Sequence, residues 1–305
     1  TVGKKPFNQR VEDVAREICE RNGFSGGMTY SFESPKVFDK LLLPEDVKER
    51  QTVVISNPLG EDFSIMRTVS LNGMLTSLAT NYNRRNKTAR LYELGNIYIP
   101  KSLPLDELPD EKMRLTMGMY GDGDFFTLKG AVEEIFEKLG IAGQVEFEPG
   151  SDIPYLHPGR QAKMVKGKLD IGLIGQVHPE VGDNYNMKAD AYIAVLNMDV
   201  LTMLAGFDRK YEGIAKYPAS TRDLSMVMDK SLFVGQIEHV ITKNAGKILE
   251  SVELFDVYEG EQVGEGKKSV AFSLIFRAKD RNLESAEVDK AVEKVLDALK
   301  KLGIE

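Results

Sequence analysis

The sequence contains no tryptophan, a single cysteine and only three histidines among its 305 residues. One cysteine, Cys19, cannot form a disulfide within the chain, and these residues show neither the CxxC nor the HxxH spacing of a zinc site. No apolar run approaches the roughly 18 residues that a membrane-spanning helix needs. These absences exclude a disulfide-rich secreted domain, predict no bound metal and no membrane contact, and favour a reducing cytoplasm.

The chain also lacks the excess of positive charge that general nucleic-acid binders carry. It has 40 Lys+Arg and 47 Asp+Glu, a formal net charge of −7. Non-specific binding to nucleic acids relies on many cations that neutralise phosphates. We therefore expect any contact with RNA to be local and made by a few side chains.

The length and the hydrophobic content predict two domains. With 42% hydrophobic residues, the chain can bury a substantial core, and we expect domains at residues 1–208 and 209–305. The first residues, Thr1 to Lys5, include neither a methionine nor an apolar leader. We therefore expect no secretory signal, and a start that is the boundary of a fragment.

The first of these domains alternates helical and strand patterns. Apolar residues recur with helical period from Phe7 to Ile18, and Gly23 then predicts the end of that helix. Met28 to Phe32 indicates a strand that Ser34 and Pro35 close. Two more helical stripes cover 71–82 and 128–139, and strands are expected near 90–99, 113–120, 161–166, 169–177 and 191–197. This pattern predicts an α+β fold with a largely antiparallel sheet backed by helices, and an exposed loop at 100–111.

The second domain reads as a compact βαββα unit with room for little or no final strand. Its strands are expected at 224–228, 251–258 and 269–276, and its helices at 234–244 and 288–302. A glycine-rich turn from Gly260 to Gly266 joins the second and third strands. The order of elements predicts a ferredoxin-like split βαβ fold.

Several motifs that resemble ligand sites have a simpler structural interpretation. His157 and His178 each precede a proline, so we expect them to make structural hydrogen bonds. The stretch Gly121 to Asp124 lacks the ending of a P-loop and the ligand pattern of an EF-hand, which predicts a turn. Gly172 and Gly175 lie within a strand pattern, so we expect them to allow close backbone packing.

Short motifs occur in one order over nearly the whole chain. They are Asn57 to Arg67, Asn81-x-Asn83-Arg84, Leu91 to Gly95, Phe125 to Gly130, Leu156 to Gly159, Gly172 to Pro179, Tyr217 to Asp223 and Leu254 to Gly260. In this order and at about this spacing, they resemble the β subunit of bacterial phenylalanine-tRNA ligase. Most β subunits of that family carry further domains upstream. The resemblance implies a class II aminoacyl-tRNA synthetase-like core followed by a ferredoxin-like anticodon-binding domain.

The catalytic residues of a class II core are missing from their expected places. Active members continue a Glu-x-Gly-x-x-Phe strand with Arg-x-Glu, and the arginine grips the ATP α-phosphate through paired hydrogen bonds. Here Ile99 and Lys101 stand at those positions. The stretch 189–201, where active enzymes carry a glycine-rich run and a second ATP-binding arginine, holds neither glycine nor arginine. We therefore expect a scaffold that performs no adenylation and binds no cofactor, while the holoenzyme uses ATP and Mg²⁺.

The candidate site residues lie in the second domain. Carried over from the family, Tyr258 stacks on the first anticodon base and Asp256 accepts hydrogen bonds from it; the alternative is that both residues merely end a strand. Arg222 either fixes its strand through an ion pair or approaches an RNA phosphate. Lys267 and Lys268 are candidates for phosphate contacts, against the alternative of solvated surface charges.

The resemblance implies a non-catalytic part of the β subunit with two roles. It packs against the catalytic α subunit in an α2β2 enzyme, and it holds the anticodon of tRNA(Phe). The helix that begins at Phe7 is expected at a subunit interface, or alternatively as a plain surface helix. The competing hypothesis is a free-standing regulatory protein that binds a ligand through the ferredoxin-like domain. A third, an independent active ligase, is disfavoured by Ile99 and Lys101.

Overall fold

The computed structural model describes residues 3–150, 152–211 and 213–304, and the chain divides into two units, one ending at Arg209 and the other beginning at Lys210. This division lies one residue from the boundary predicted after residue 208. Thr1, Val2 and Glu305 lie outside the described residues.

A seven-stranded sheet forms the centre of the first unit, in the order β1-β4-β5-β9-β8-β7-β6. Every neighbouring pair is antiparallel except the short parallel pair of β1 and β4, which confirms the predicted sheet type. The strands of this unit are β1 (Ser25–Gly26), β2 (Phe32–Glu33), β3 (Ile65–Met66), β4 (Ala89–Ile99), β5 (Asp110–Tyr120), β6 (Glu146–Pro149), β7 (Leu156–Lys166), β8 (Leu169–Val177) and β9 (Ala191–Asn197). β2 and β3 pair separately as a two-stranded sheet.

Helices cover both faces of the large sheet. The helices of this unit are α1 (Phe7–Arg21), α2 (Val37–Lys40), α3 (Leu71–Asn83), α4 (Phe125–Lys138), α5 (Pro179–Asn184) and α6 (Met198–Leu204). α1, α4 and α6 bury one core with the sheet, and α2, α3 and α5 bury a second core on the other face. Short 3-10 helices at Lys48–Arg50 and Glu61–Phe63 complete the unit.

The predicted helices follow from local sequence signals. In α1 the buried residues Val11, Ala15 and Ile18 recur every three or four positions, and Gly23 with φ +80° follows the end of the helix. α4 begins at a capping box in which the Asp124 carboxylate accepts from the backbone N–H of Thr127. The stretch 121–124 therefore turns the chain between β5 and α4, as predicted, and Asp124 also caps the helix, which was not predicted.

The strand predicted at Met28 to Phe32 is wrong except at its last residue. β1 ends at Gly26 and β2 begins at Phe32, so residues 28–31 belong to no strand. The backbone N–H of Thr29 instead donates to the carboxylate of Glu93, and the carbonyl of Ser31 accepts from Arg67 N–H. A side chain thus satisfies the backbone where a neighbouring strand was expected. The pattern also missed β6, which has four residues and ends at Pro149.

The glycines and histidines that resembled ligand sites have structural roles. A Cβ built on Gly172 would lie 2.0 Å from the carbonyl oxygen of Val195 on the neighbouring strand. Nδ1 of His157 accepts from the backbone N–H of Gly159, and Nδ1 of His178 caps α5 by accepting from Glu180 N–H. The predictions of close backbone packing and structural hydrogen bonds are confirmed.

The second unit has a three-stranded antiparallel sheet in the order β10-β12-β11, with two helices packed on one face. Its elements are β10 (Ser220–Asp229), α7 (Val234–Ala245), β11 (Leu249–Tyr258), a 3-10 turn (Glu261–Val263), β12 (Lys267–Phe276) and α8 (Ser285–Lys300). This is the predicted βαββα order, with no fourth strand among the described residues up to 304. The predicted α+β class is confirmed in both units.

No helix in the described part of the chain is long and apolar enough to cross a membrane. Within the same residues, no group of three or more His, Cys, Asp or Glu side chains is arranged to hold a metal ion.

Candidate nucleic-acid interface

One face of the small sheet carries no helix of its own unit. The core-facing residues of β12 are Val270, Phe272, Leu274 and Phe276, which pack with α7 and α8. Side chains alternate along a strand, so Ser269 and its alternate neighbours lie on the opposite face. We call this side, which carries Ser269, Ala271, Ser273 and Ile275, the open face.

A β-bulge places the two predicted anticodon residues on the open face. Leu254 pairs with core-facing Phe272, but Asp256 pairs with Ala271, so Phe255 is an extra residue in β11. After the bulge, Asp256 and Tyr258 lie opposite Ala271 and Ser269. If Phe255 instead paired regularly with Ala271, Asp256 and Tyr258 would both lie on the core-facing side. The bulge therefore determines which side chains of β11 face a ligand.

Both side chains are accessible on an edge strand. Tyr258 is 43% exposed, and Asp256 is also exposed. Among the described residues, the Asp256 carboxylate has no hydrogen-bond or ion-pair partner. Since β11 is an edge of the sheet, no neighbouring strand limits access to the pair. An exposed aromatic ring beside an unpaired carboxylate can stack on a base and accept its N–H groups.

The ring of Tyr258 packs directly against the backbone of Gly260. A Cβ built on Gly260 would lie 2.3 Å from Tyr258 Oη and 2.6 Å from Cζ. Contacts this short are not tolerated, so the ring can hold this position only while residue 260 has no side chain. The glycine of the Leu254 to Gly260 motif is thus required by the tyrosine two residues before it.

Arg222 lies on the other side of the sheet. It pairs in register with Leu274, a core-facing residue, and its guanidinium donates to Asp289 and Ser285 of α8 at 3.0 to 3.2 Å. A further donation goes to the Thr221 carbonyl. This geometry favours the alternative in which Arg222 fixes its strand, although the partner is Asp289 and not a neighbour in sequence. Its contact with RNA stays a prediction.

The two lysines differ in placement. Lys267 alternates with Ser269 and Ala271, so it belongs to the open face, one pair beyond Tyr258. It also lines a cavity of about 520 Å³, together with Gly260, Glu259 and Glu265. Lys268 belongs to the opposite side, where its Nζ donates to the Lys230 carbonyl at 3.3 Å. The structure therefore brings together Asp256, Tyr258 and Lys267, and it does not bring Arg222 or Lys268 to them.

Sequence reasoning missed the exposed apolar residues around the pair. Leu254, Phe255 and Val257 are 42%, 58% and 46% exposed, so the end of β11 is open on both of its faces. The available signal was the run of five consecutive residues with only one charge, which is too apolar for a solvated edge strand.

In the first unit, the motif that resembles a catalytic strand forms a buried ionic network. Arg67 and Glu93 are each 4% exposed as side chains and form an ion pair at 3.2 Å. Thr29 Oγ1 donates to Glu93 at 2.8 Å and accepts from Arg67. A Cβ on Gly95 would lie 2.1 Å from Arg67 Nη2. The Glu-x-Gly part of the motif is therefore explained by the arginine that it accommodates.

A second buried carboxylate lies near this network. Glu33 is 3% exposed, and its Oε1 has no hydrogen-bond partner among the described residues. Burial raises the pKa of the Glu33 carboxyl to about 7, and a hydrogen bond from Asn72 and the charge of Arg67 offset only part of this effect.

The positions expected to grip ATP do not fit a nucleotide phosphate. Ile99 offers no donor, and Lys101 is committed to ion pairs with Glu107 at 2.9 Å and Asp110 at 3.7 Å. α3 and its side chains also bury the neighbouring face of β5. The side chains at these two positions therefore do not form an ATP site.

The first unit exposes apolar side chains next to the ionic network. Met28, Tyr30, Phe32 and Val54 are 95%, 67%, 36% and 71% exposed, and we call them the apolar surface. Tyr30 is supported by an edge contact with the Phe63 ring at 5.4 Å. By contrast, α1 buries its apolar stripe, and Lys5, Asp13 and Arg16 form ion pairs on its outer side. An interface role for α1 stays a prediction.

Comparisons with known proteins agree with both units. A family model described as the phenylalanyl tRNA synthetase beta chain CLM domain matches residues 1–198, and one described as a ferredoxin-fold anticodon binding domain matches residues 215–305. A phenylalanine-tRNA ligase beta subunit of Clostridium tetani is 45% identical over 99% of this chain and 38% of the relative. That of Clostridium acetobutylicum is 43% identical over 95% of this chain and 36% of the relative. The chain thus spans less than two fifths of the length of these relatives.

A solved structure extends the comparison to the fold alone. The pyrrolysyl-tRNA synthetase of Desulfitobacterium hafniense aligns with a TM-score of 0.55 at 18% identity, over 67% of this chain and 71% of that protein. This likeness supports an aminoacyl-tRNA synthetase fold, as the sequence predicted.

Proposed function

Because the chain belongs to the phenylalanyl-tRNA synthetase beta chain family, we propose that it is the part of a phenylalanine-tRNA ligase β subunit that assembles with the α subunit and holds the tRNA(Phe) anticodon. The observation that carries this proposal is the open face, where Asp256 and Tyr258 lie side by side in the region matched by an anticodon-binding family.

The open face supplies three kinds of contact to a single-stranded loop. The ring of Tyr258 stacks on the first anticodon base, a contact worth ~1 to 3 kcal/mol. The Asp256 carboxylate accepts hydrogen bonds from that base and so selects an edge that offers N–H donors. Lys267 lies one pair further along the sheet and faces the phosphate backbone. Arg222 contributes indirectly, by tying β10 to α8.

The α subunit docks on the first unit. The apolar surface is too exposed to be explained by the folding of this chain alone, and the Arg67 to Glu93 network beneath it holds the surrounding backbone in place. We assign the α subunit to this surface, in an α2β2 assembly. Activation of phenylalanine with ATP and Mg²⁺ belongs to the α subunit, and this chain performs no adenylation. A cytoplasmic location remains a prediction.

Co-expression tests the proposal against the free-standing regulatory protein. The tagged chain is expressed together with the α subunit of the same source, purified, and assayed for binding of tRNA(Phe). We expect stable co-purification and tRNA binding that a non-cognate tRNA does not match. A chain that stays monomeric and binds neither the α subunit nor tRNA(Phe) would overturn the proposal.

A further inference from the structure

A basic groove lies at the C-terminal end of α3, within the first unit. It has a volume of about 420 Å³ and is bounded by the last turn of α3, by Lys40 at the end of α2, and by residues 184–186 at the end of α5. Its lining includes Lys40 and Arg84 and no carboxylate. Asparagine and threonine side chains make up most of the remaining lining, which suits a ligand that accepts hydrogen bonds.

The segment that contains α3 and the cations after it has no negative charge. Residues 63–92 contain five Lys+Arg and no Asp or Glu, in a chain with 47 acidic residues. Two of the five, Arg67 and Arg90, are held in ion pairs. The other three, Arg84, Arg85 and Lys87, are exposed, and no hydrogen bond or ion pair of their side chains occurs within the described residues. Of these three unpaired cations, Arg84 lines the groove, and Arg85 and Lys87 follow it within three residues of the chain.

The backbone of Arg85 adopts a conformation that favours glycine. Its φ is +65°, and its N–H closes the end of α3 by donating to the Tyr82 carbonyl. Glycine or asparagine usually occupies such a position, because a larger side chain is strained there. The side chain of Arg85 makes no hydrogen bond or ion pair within the described residues, so positive charge is what it adds to the surface.

Side-chain amides fix the walls of the groove. Asn83 Nδ2 donates to the carbonyls of Ala79 and Asn186, at 2.8 and 3.2 Å, and joins α3 to the end of α5. Asn184 Nδ2 donates to the Lys40 carbonyl at 3.1 Å and joins α5 to α2. Three segments distant in sequence are thus held together around the cations, and a ligand finds them already in place.

We propose that the basic groove binds phosphates of an RNA backbone, as a second contact with tRNA that is separate from the anticodon site on the open face. This inference rests on the proposed function, which supplies tRNA as the ligand. Guanidinium groups bind phosphate oxygens through paired hydrogen bonds, and amides and hydroxyls add neutral contacts. The aromatic residue in its lining, Tyr185, is only 6% exposed and has Lys40 Nζ over its ring at 5.4 Å, so bases have no open ring on which to stack and the groove contributes affinity without sequence preference. An acidic protein segment is the competing occupant.

The test uses the assembled ligase with its full-length β subunit and tRNA(Phe) transcript. The variant combines Arg84→Ala with Arg85→Gly, because glycine suits the backbone of residue 85 and preserves the fold. We expect tRNA binding to weaken by ~3-fold to 30-fold at low salt, and the slope of log K against log salt to fall by about 1 to 2. ATP-pyrophosphate exchange with phenylalanine should not change.

Lys168→Ala is the matched control, since Lys168 is an exposed cation of the same unit in the turn between β7 and β8. It should leave both the affinity and the salt slope unchanged. A double variant that behaves like this control would overturn the groove as a phosphate site. If the double variant no longer assembles with the α subunit but its tRNA binding is unchanged, the groove is a protein contact and the inference is wrong. If the wild-type ligase itself fails to bind tRNA(Phe), the proposed function is wrong. If the wild type binds tRNA(Phe) and the groove variant binds it with the same affinity and salt slope, only the inference about the groove is wrong.

Discussion

The large sheet of the first unit carries helices on both faces, whereas the small sheet of the second unit carries helices on one face only. In the first unit, polar residues of a synthetase-like strand are buried and satisfied by one another, as Arg67 and Glu93 show. In the second unit, Asp256 and Tyr258 are exposed on β11, which is an edge strand of the sheet. The contrast teaches that a motif can keep its residues while they serve the fold, and that binding requires polar groups that the fold leaves unpaired.

The largest expected effect comes from removing one partner of the buried pair. Glu93→Ala leaves the Arg67 guanidinium buried without its counter-charge, so we expect the free energy of unfolding to fall by ~3 to 5 kcal/mol. Denaturant unfolding measures this loss. Glu107→Ala removes an exposed partner of Lys101, and because solvent screens that pair the loss should be far smaller. Equal losses for the two variants would show that the network does not stabilise the unit.

The pH dependence of stability tests a second buried group of the first unit, the carboxyl of Glu33. The folded pKa of Glu33 is about 7, above the ordinary value of about 4.5, so the folded state binds the proton more tightly. Stability is therefore highest below pH ~4.5 with respect to this group and falls by about 3 kcal/mol as the pH rises to ~7. We expect Glu33→Gln to remove this slope and to be the more stable protein at pH 8.

Glu45→Gln serves as the control for that titration, because Glu45 is exposed in the same unit. Unfolding midpoints measured from pH 5 to pH 8 should run parallel for this control and the parent. If Glu33→Gln also runs parallel to the parent, the carboxyl is not desolvated in solution.

Tyr258→Ala tests the exposed side of the comparison. Loss of the stacked ring should raise the KM for tRNA by about tenfold to a hundredfold in the assembled ligase, which corresponds to ~1.4 to 2.7 kcal/mol. ATP-pyrophosphate exchange should be unaffected, since this unit takes no part in adenylation. Tyr258→Phe retains the aromatic face and should stay close to the parent. An unchanged KM for the alanine variant would remove the stacking assignment.

The smallest effect is predicted for Gly260→Ala. The added methyl group collides with the hydroxyl end of Tyr258 and should displace the ring, which raises the KM for tRNA by ~3-fold to 10-fold. Gly235→Ala, in α7 with open space around the position, is the control and should not change the KM. In a Tyr258→Ala background, Gly260→Ala should add nothing. An additive loss would mean that Gly260 acts independently of the tyrosine.

The sequence predicts most of the fold because apolar periodicity reports amphipathic elements directly. α1, α3, α4 and all the long strands were found in this way. The same signal failed between Met28 and Phe32, where alternating apolar residues indicated a half-buried strand. Periodicity shows that one side of a segment is apolar, but it does not show whether that side meets the core or lies in solvent.

The candidate site was predictable only in part. Asp256 and Tyr258 were identified through a motif, and their spacing places them on one face of any strand. Which face that is depends on Phe255, the extra residue in the pairing of β11 with β12. The contact of Gly260 with Tyr258, and the partner of Arg222 on α8, depend on the geometry of the folded chain and leave no periodic signal.

The bulge at Phe255 decides which face of the sheet carries Asp256 and Tyr258. If Phe255 paired with Ala271 without a bulge, each later residue of β11 would move one position along β12, and the carboxylate and the phenol ring would turn toward the helices. Phe255 and Val257 would then lie on the open face. The chemical identity of every site residue would survive such a slip, yet the surface presented to a ligand would become apolar. Recognition here thus depends on strand register as much as on side chains.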